Sequence, residues 1–321
     1  MALAAAVALA GCEAVPRTSA GLEAPEQAEA VAQEGATELD GAPEQVVAAI
    51  PHESDEDWAI AREALEWAWD RQLGSLPVGE VAAMIGRTFV GTPYVPGSLE
   101  LPGPEGLVVN LHSFDCVTLV EHLLVLSRLT VREPRAILSD EAAFRVRYRA
   151  ELTQVRYRGG VLDGYPSRLH YFSEWLRDAE AKGLVRDVTR ELGGIQDPRP
   201  IQFMSSNPGS YRQLGDDPAY LAAIRATEAE LNTLPRYFVP EDRIAEVEAG
   251  IQNGDVIAAV STVEGLDIAH TGVAIWRDGR VHLLHAPLVG DSVEVSDVPL
   301  ADRIRAISGQ SGIMVARPLQ P

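Results

Sequence analysis

The chain has 321 residues, 46% of them hydrophobic, enough for one large domain or two small ones with their own cores. Its 47 acidic residues outnumber 27 basic ones, for a net charge of −20; a surface of that sign repels nucleic-acid phosphates and disfavours docking on anionic lipid. Two cysteines, Cys12 and Cys116, cannot form a disulfide framework, and their surroundings give them different jobs.

Cys12 ends Leu9-Ala10-Gly11-Cys12, directly after a short run of Ala, Val and Leu. This looks like a bacterial lipoprotein signal, in which small residues precede a cysteine that is cleaved and lipidated. No Lys or Arg precedes the run, which departs from that pattern. No later stretch reaches the ~20 apolar residues that a membrane-spanning helix needs. Residues 1–12 therefore read as a signal peptide, and 13–53, rich in Ala, Glu, Gln, Gly and Pro, as a disordered acidic tether. Residues 54–321 read as one domain with an inserted helical region at about 130–245.

The folded part opens with Ser54-Asp55-Glu56-Asp57, an N-cap followed by acids. It predicts a helix through Trp58, Leu65 and Leu73, stopped by Gly74. Pro77 starts a second helix through Val81, Ile85 and Phe89. The Gly- and Pro-rich stretch from Val90 to Glu100 puts Tyr94 on a loop. Glu105 to Leu111 reads as a short strand. It leads into Asp115-Cys116 and an apolar helical run from Val117 to Leu129. Asp115 is the N-cap and Cys116 falls in the first turn, where the helix dipole favours a thiolate. A cysteine there is either a nucleophile or an apolar filler. Further helices are expected over 142–152, at Ser173–Leu176 and over 217–231, with a strand ending near Phe203. From Gly254 the pattern turns to strands: 254–260, 268–276, 280–286, and shorter ones at 292–298 and 312–317. Helices first and antiparallel strands after make an α+β layout.

A thiolate nucleophile needs a base, usually histidine, and a group to orient it. Of seven histidines, the strand register singles out two. Asp278-Gly279 is the preferred centre of a two-residue type I′ hairpin. Counting outward, Ile275 faces His282, Ala274 faces Leu283 and Gly272 faces His285. His270 then shares a face with Gly272, and His285 lies diagonal to it on that face, with Gly272 leaving room between them. His282 points the other way, so His282 and His285 are not expected to share a metal. His112 either lines the site or is exposed in its turn, and His122 reads as a core residue.

The blocks Gly91-Thr92-Pro93-Tyr94-Val95, Asn110 to Cys116, Ser167-Arg168-Leu169-His170-Tyr171, His270-Thr271-Gly272-Val273-Ala274 and Leu283-Leu284-His285-Ala286 together resemble the N-acetylmuramoyl-L-alanine amidase-like family, within the NlpC-type, papain-like superfamily of cell-wall cysteine hydrolases. The resemblance implies a papain-like fold, with Cys116 as nucleophile, His270 as base and His285 as third polar residue. The implied substrate is a peptidoglycan fragment, cut at the amide joining N-acetylmuramic acid to L-Ala. Relatives cut γ-D-glutamyl bonds instead. A wall-binding lipoprotein without turnover is a further alternative. Tyr94, His112, Asp115, Arg168, His170 and Ser205 are the candidates for holding substrate; Arg168 would pair with a stem-peptide carboxylate or form a structural ion pair. No cofactor or metal is implied. The expected protein is a monomer anchored by lipid at Cys12 in a Gram-negative envelope, facing the periplasm, with the outer membrane favoured.

Overall fold

The computed structural model describes residues 52–321. Cys12 and nearly all of the expected tether lie outside the described residues. Chain pairing starts slightly before the expected boundary, because His52 bridges Val108 through His52 N–Leu107 O and Val109 N–His52 O bonds, both 2.9 Å.

Helix α1, Asp55–Asp70, begins with a full capping box between Ser54 and Asp57. It stops at Arg71, ahead of Gly74, because Gln72 turns into the left-handed region at φ 56°. Helix α2 spans Val78–Gly86. The segment 105–111 is not a sheet strand: it makes only the Val108 bridge, and its Leu111 N–H goes to the Asp57 carboxylate at 2.8 Å.

Helix α3, Cys116–Arg132, is the hub, with every residue from Thr118 to Thr130 buried. A helix enclosed on all sides must satisfy its polar side chains internally. Accordingly Glu121 takes the Arg156 guanidinium at 2.7 Å, Arg128 binds Glu151, and His122 meets the Tyr148 hydroxyl at 2.6 Å. Helices α4 (Glu141–Arg156) and α5 (Phe172–Ala181) follow. Two short strands come next, β1 at Val185–Asp187 and β2 at Ile195–Asp197.

The strand expected to end near Phe203 is instead a helical turn, Phe203–Ser206. The N–H groups of Gln202 and Phe203 both reach the Gly265 carbonyl at 3.0 Å, which curls the chain where an extended pairing would need it straight. Helix α6 (Pro218–Leu231) starts at its Asp217 cap, and β3 is Arg236–Pro240.

Strands β4 (Val256–Ser261), β5 (Ile268–Arg277), β6 (Arg280–His285), β7 (Glu294–Val295) and β8 (Gln310–Pro318) complete the sheet, with helix α7 at Leu300–Ala306 between the last two. Pairing is antiparallel throughout, in the order β2-β3-β8-β4-β5-β6-β7, with β1 also on β8. The fold is α+β. One face of the sheet packs on α1 to α4, through residues such as Val273, Ile275 and Leu284. The other face, with Ala274, Val281 and Leu283, is covered by α7.

Candidate active site

The β5–β6 hairpin has the register counted from its turn. Asp278 and Gly279 both have positive φ, 52° and 78°, as a type I′ turn requires. Ile275 faces His282, Ala274 faces Leu283 and Val273 faces Leu284. One step further, Gly272 comes against His285. A Cβ at Gly272 would stand 2.6 Å from the Leu284 carbonyl oxygen and 2.9 Å from His285 Cβ, so only glycine fits. Across that gap His270 Nε2 lies 2.9 Å from His285 Nδ1, with the rings edge-to-face at 4.9 Å. Both rings are buried. Burial holds both imidazoles well below their usual pKa, and the nearby Arg303 guanidinium pushes the same way. The resting pair is therefore neutral. His282 is on the opposite face, with Nδ1 2.7 Å from the Ser296 carbonyl.

Cys116 opens α3. Asp115 caps it: Oδ1 accepts from Val117 N at 3.1 Å and Thr118 N at 2.8 Å, while Thr118 Oγ1 accepts from Asp115 N at 2.9 Å. The Asp115 Oδ2 atom is buried without a hydrogen-bond partner among the described residues. Cys116 is half-buried, forms no disulfide, and lines a cleft of about 170 Å³ together with Asp115, His270 and Thr271. Cys116 and His270 thus line the same space.

The cleft also takes in Tyr94, Arg168 and His170. Tyr94 is placed by a loop stitched on both sides: Tyr94 N donates to Asp291 O at 2.8 Å, and Val95 N donates to Phe114 O at 2.9 Å. His170 is half-buried, with Nε2 2.9 Å from the Tyr165 carbonyl; burial and then Arg168 hold it well below its usual pKa. Arg168 is buried, and its charge is already committed. It donates to the Leu99 carbonyl at 3.0 Å, binds Glu100, and stands 3.5 Å from Glu105. Of the two roles weighed for it, the ion pair is the one it has here.

Two candidates stand away from the cleft. His112 turns its half-exposed ring to Asp57, Nδ1 to Oδ1 at 2.8 Å. Ser205 sits in the Phe203–Ser206 turn, its N–H bonded to Glu228 at 3.0 Å, and does not line the cleft. Its neighbour Met204 does. Sequence reasoning also missed the apolar wall that Met204 shares with Phe172, Trp175, Tyr211 and Leu266. Phe172 and Trp175 stack at 5.1 Å. Their helical spacing signalled only a buried face. Asp267 holds this wall to the sheet, its carboxylate accepting from Ser173 N and Ile268 N at 2.8 Å each.

Solved structures of similar chains exist. An N-acetylmuramoyl-L-alanine amidase from Bacteroides uniformis shares 34% identity at a TM-score of 0.70, over 76% of this chain and 99% of that one. A Bacteroides fragilis protein provisionally named a xylanase shares 32% identity at a TM-score of 0.66, over 72% of this chain and 98% of that one. A Legionella pneumophila protein, 21% identical at a TM-score of 0.58 over 83% and 96%, shares the fold. No curated protein matches the chain. The N-acetylmuramoyl-L-alanine amidase-like family profile matches residues 84–313, which include every one of the cleft residues named above, and the chain belongs to that family.

Proposed function

We propose that the protein is a cell-wall cysteine hydrolase of NlpC-type, papain-like design. In this reading it cleaves the amide between N-acetylmuramic acid and L-Ala in peptidoglycan fragments. The observation that carries it is a helix-initiating Cys116 sharing a cleft with His270, whose far nitrogen is held by His285.

His270 uses Nε2 to meet His285, which leaves Nδ1 for the thiol. Neutral His270 takes the Cys116 proton at Nδ1, and the start of α3 favours the resulting thiolate. Sulfur attacks the lactyl carbonyl carbon. The Cys116 N–H and a neighbouring donor stabilise the oxyanion, a contribution of about 3 kcal/mol per donor in comparable sites. The tetrahedral species collapses as His270 returns its proton to the L-Ala nitrogen, breaking the C–N bond. Water, deprotonated by His270, then hydrolyses the thioester and regenerates the thiol. His285 fixes the tautomer of His270. The apolar wall from Phe172 to Leu266 suits the lactyl methyl and the C–H faces of the sugar.

The xylanase name borne by one relative raises a glycosidase reading. That chemistry uses two carboxylates with separate roles. In this cleft Glu121 is bound to Arg156 and Asp267 to two backbone N–H groups. Asp115 is left as the lining carboxylate with an oxygen to spare, which is one too few.

We also propose that Cys12 carries lipid and holds the enzyme in the envelope, facing the periplasm from the outer membrane, as a monomer. The test is mass spectrometry of products from defined muropeptides. Free muramic-acid sugar plus intact stem peptide supports the amidase reading. A released L-Ala-D-Glu dipeptide would replace it with γ-D-glutamyl endopeptidase activity, and unchanged substrate would leave only wall binding.

A further inference from the structure

The hydrogen-bonded pair does not end at His285. Its Nδ1 faces His270, and its other nitrogen, Nε2, is buried with no hydrogen-bond partner among the described residues. The side chain is 0% exposed, so water does not reach that nitrogen. A carboxylate stands beside it. Glu294 Oε1 is 3.4 Å from His285 Nε2, close enough for ion pairing but out of hydrogen-bond alignment. The approach follows from the backbone: β6 and β7 pair with His285 directly opposite Glu294, which places both side chains on one face. The chain reaches Glu294 through a turn at Gly290, whose φ of 118° favours glycine.

We propose that Glu294 is a positioning residue that selects the tautomer of His285 and, through it, that of His270. The inference rests on the cysteine-hydrolase reading above. A neutral imidazole has one N–H and one lone pair. With the Glu294 carboxylate as acceptor, the His285 hydrogen stays on Nε2. His285 Nδ1 is then a lone pair, and it accepts the N–H on His270 Nε2. That leaves His270 Nδ1 as the lone pair, the form able to take a proton from Cys116. If the hydrogen on His285 moves to Nδ1, the order reverses. His285 donates to His270 Nε2, the His270 hydrogen sits on Nδ1, and the base is already capped. No atom changes place other than these hydrogens, yet one arrangement is competent and the other is not.

Glu294 can do this because its side chain is 44% exposed, so its carboxylate stands at the edge of the fold without a burial cost. His285 is inside and the acceptor is at the edge. The titratable and charged groups placed near the pair are Glu294 on β7, Arg303 on α7 and Cys116 at the start of α3, which lines the same cleft as His270. Arg303 opposes positive charge on the rings, and a carboxylate 3.4 Å from His285 Nε2 acts in the opposite sense.

The experiment reads the thiol directly. The full chain and its E294A and E294Q variants are alkylated with iodoacetamide from pH 4 to pH 9, and modification of Cys116 is followed by peptide mapping, with circular dichroism as the control for folding. The anion stabilises the thiolate–imidazolium pair, so its loss moves the alkylation midpoint to higher pH, by about one unit in both variants. E294A lowers kcat on the order of tenfold with KM changed by less than about twofold, well short of the ~10⁴-fold loss typical when the group directly orienting the base is replaced. E294Q keeps an acceptor oxygen and loses less kcat than E294A. Should both variants fold and their alkylation profiles overlie that of the parent, the inference is overturned. A shifted midpoint in a protein that leaves muropeptides intact keeps the role of Glu294 and removes the substrate reading instead. A parent protein whose Cys116 resists alkylation at every pH removes both.

Discussion

At the scale of single residues, the chemistry depends on which groups are charged at rest. Burial keeps His270 and His285 neutral well below their usual pKa. The sign follows for activity. The proposed base, His270, can act only when neutral, and a lowered pKa keeps it so as the pH falls. The acid limb of kcat/KM is expected below about pH 6.5, the ordinary histidine value. A profile recorded from pH 4 to pH 9 checks this; a limb centred above 7 would mean that His270 is stabilised as the cation. The same residues show what was readable beforehand. His270 and His285 could be paired from the chain alone because a type I′ turn fixes register and strand side chains alternate. His112 and Arg168 could not be placed that way. Their partners, Asp57 for one and Glu100 and Glu105 for the other, lie more than fifty residues away along the chain, and no local rule connects them.

At the scale of elements, one helix terminus and one gap shape the candidate site. Helix α3 presents Cys116 because Asp115 ends the preceding segment and caps the helix. Replacing Asp115 with Ala removes the acceptor of the Val117 and Thr118 N–H groups. A loss of about 1 kcal/mol is expected by urea unfolding, as for other N-caps. In the hairpin, Gly272→Ala puts a Cβ 2.6 Å from a backbone oxygen and 2.9 Å from His285. Strands β5 and β6 have to separate, at a cost of about 1–3 kcal/mol, and the His270–His285 contact opens with them. Activity should therefore fall further than stability explains, which a comparison of kcat with Tm measures. An Ala variant with parental kcat would show that the close approach is not needed. Element types were legible wherever one face repeated, as in α1, α3, α6 and the strands from β4 to β6. They were misread at 105–111 and near Phe203, where hydrogen bonds to distant groups, the Asp57 carboxylate in one case and the Gly265 carbonyl in the other, set the conformation. The short strands β1 and β2, three residues each, were too brief to leave a periodic signal.

At the scale of the whole molecule, a buried ionic network ties the cleft rim to the core. Arg168 gathers the 99–105 loop, and Arg156 joins Glu121 of α3 to the Val108 carbonyl at 2.6 Å. Burial raises the Glu105 carboxyl above its usual range, with Arg168 pulling against it. Arg168→Met leaves that acid uncompensated, and a destabilisation of about 3–5 kcal/mol is expected, seen as a lower urea midpoint. The loss should ease at acid pH, where Glu105 takes a proton. The network joins segments far apart in sequence, so the overall α+β class was readable from the order of elements while the closure of the cleft was not. The claim on which the account turns is that the sulfur of Cys116 does the chemistry. Steady-state hydrolysis of a defined muropeptide by C116A tests it most directly. A fall in kcat of about 10³-fold or more is expected with the fold intact by circular dichroism; a folded C116A protein working within tenfold of the parental rate would show that another group does the chemistry.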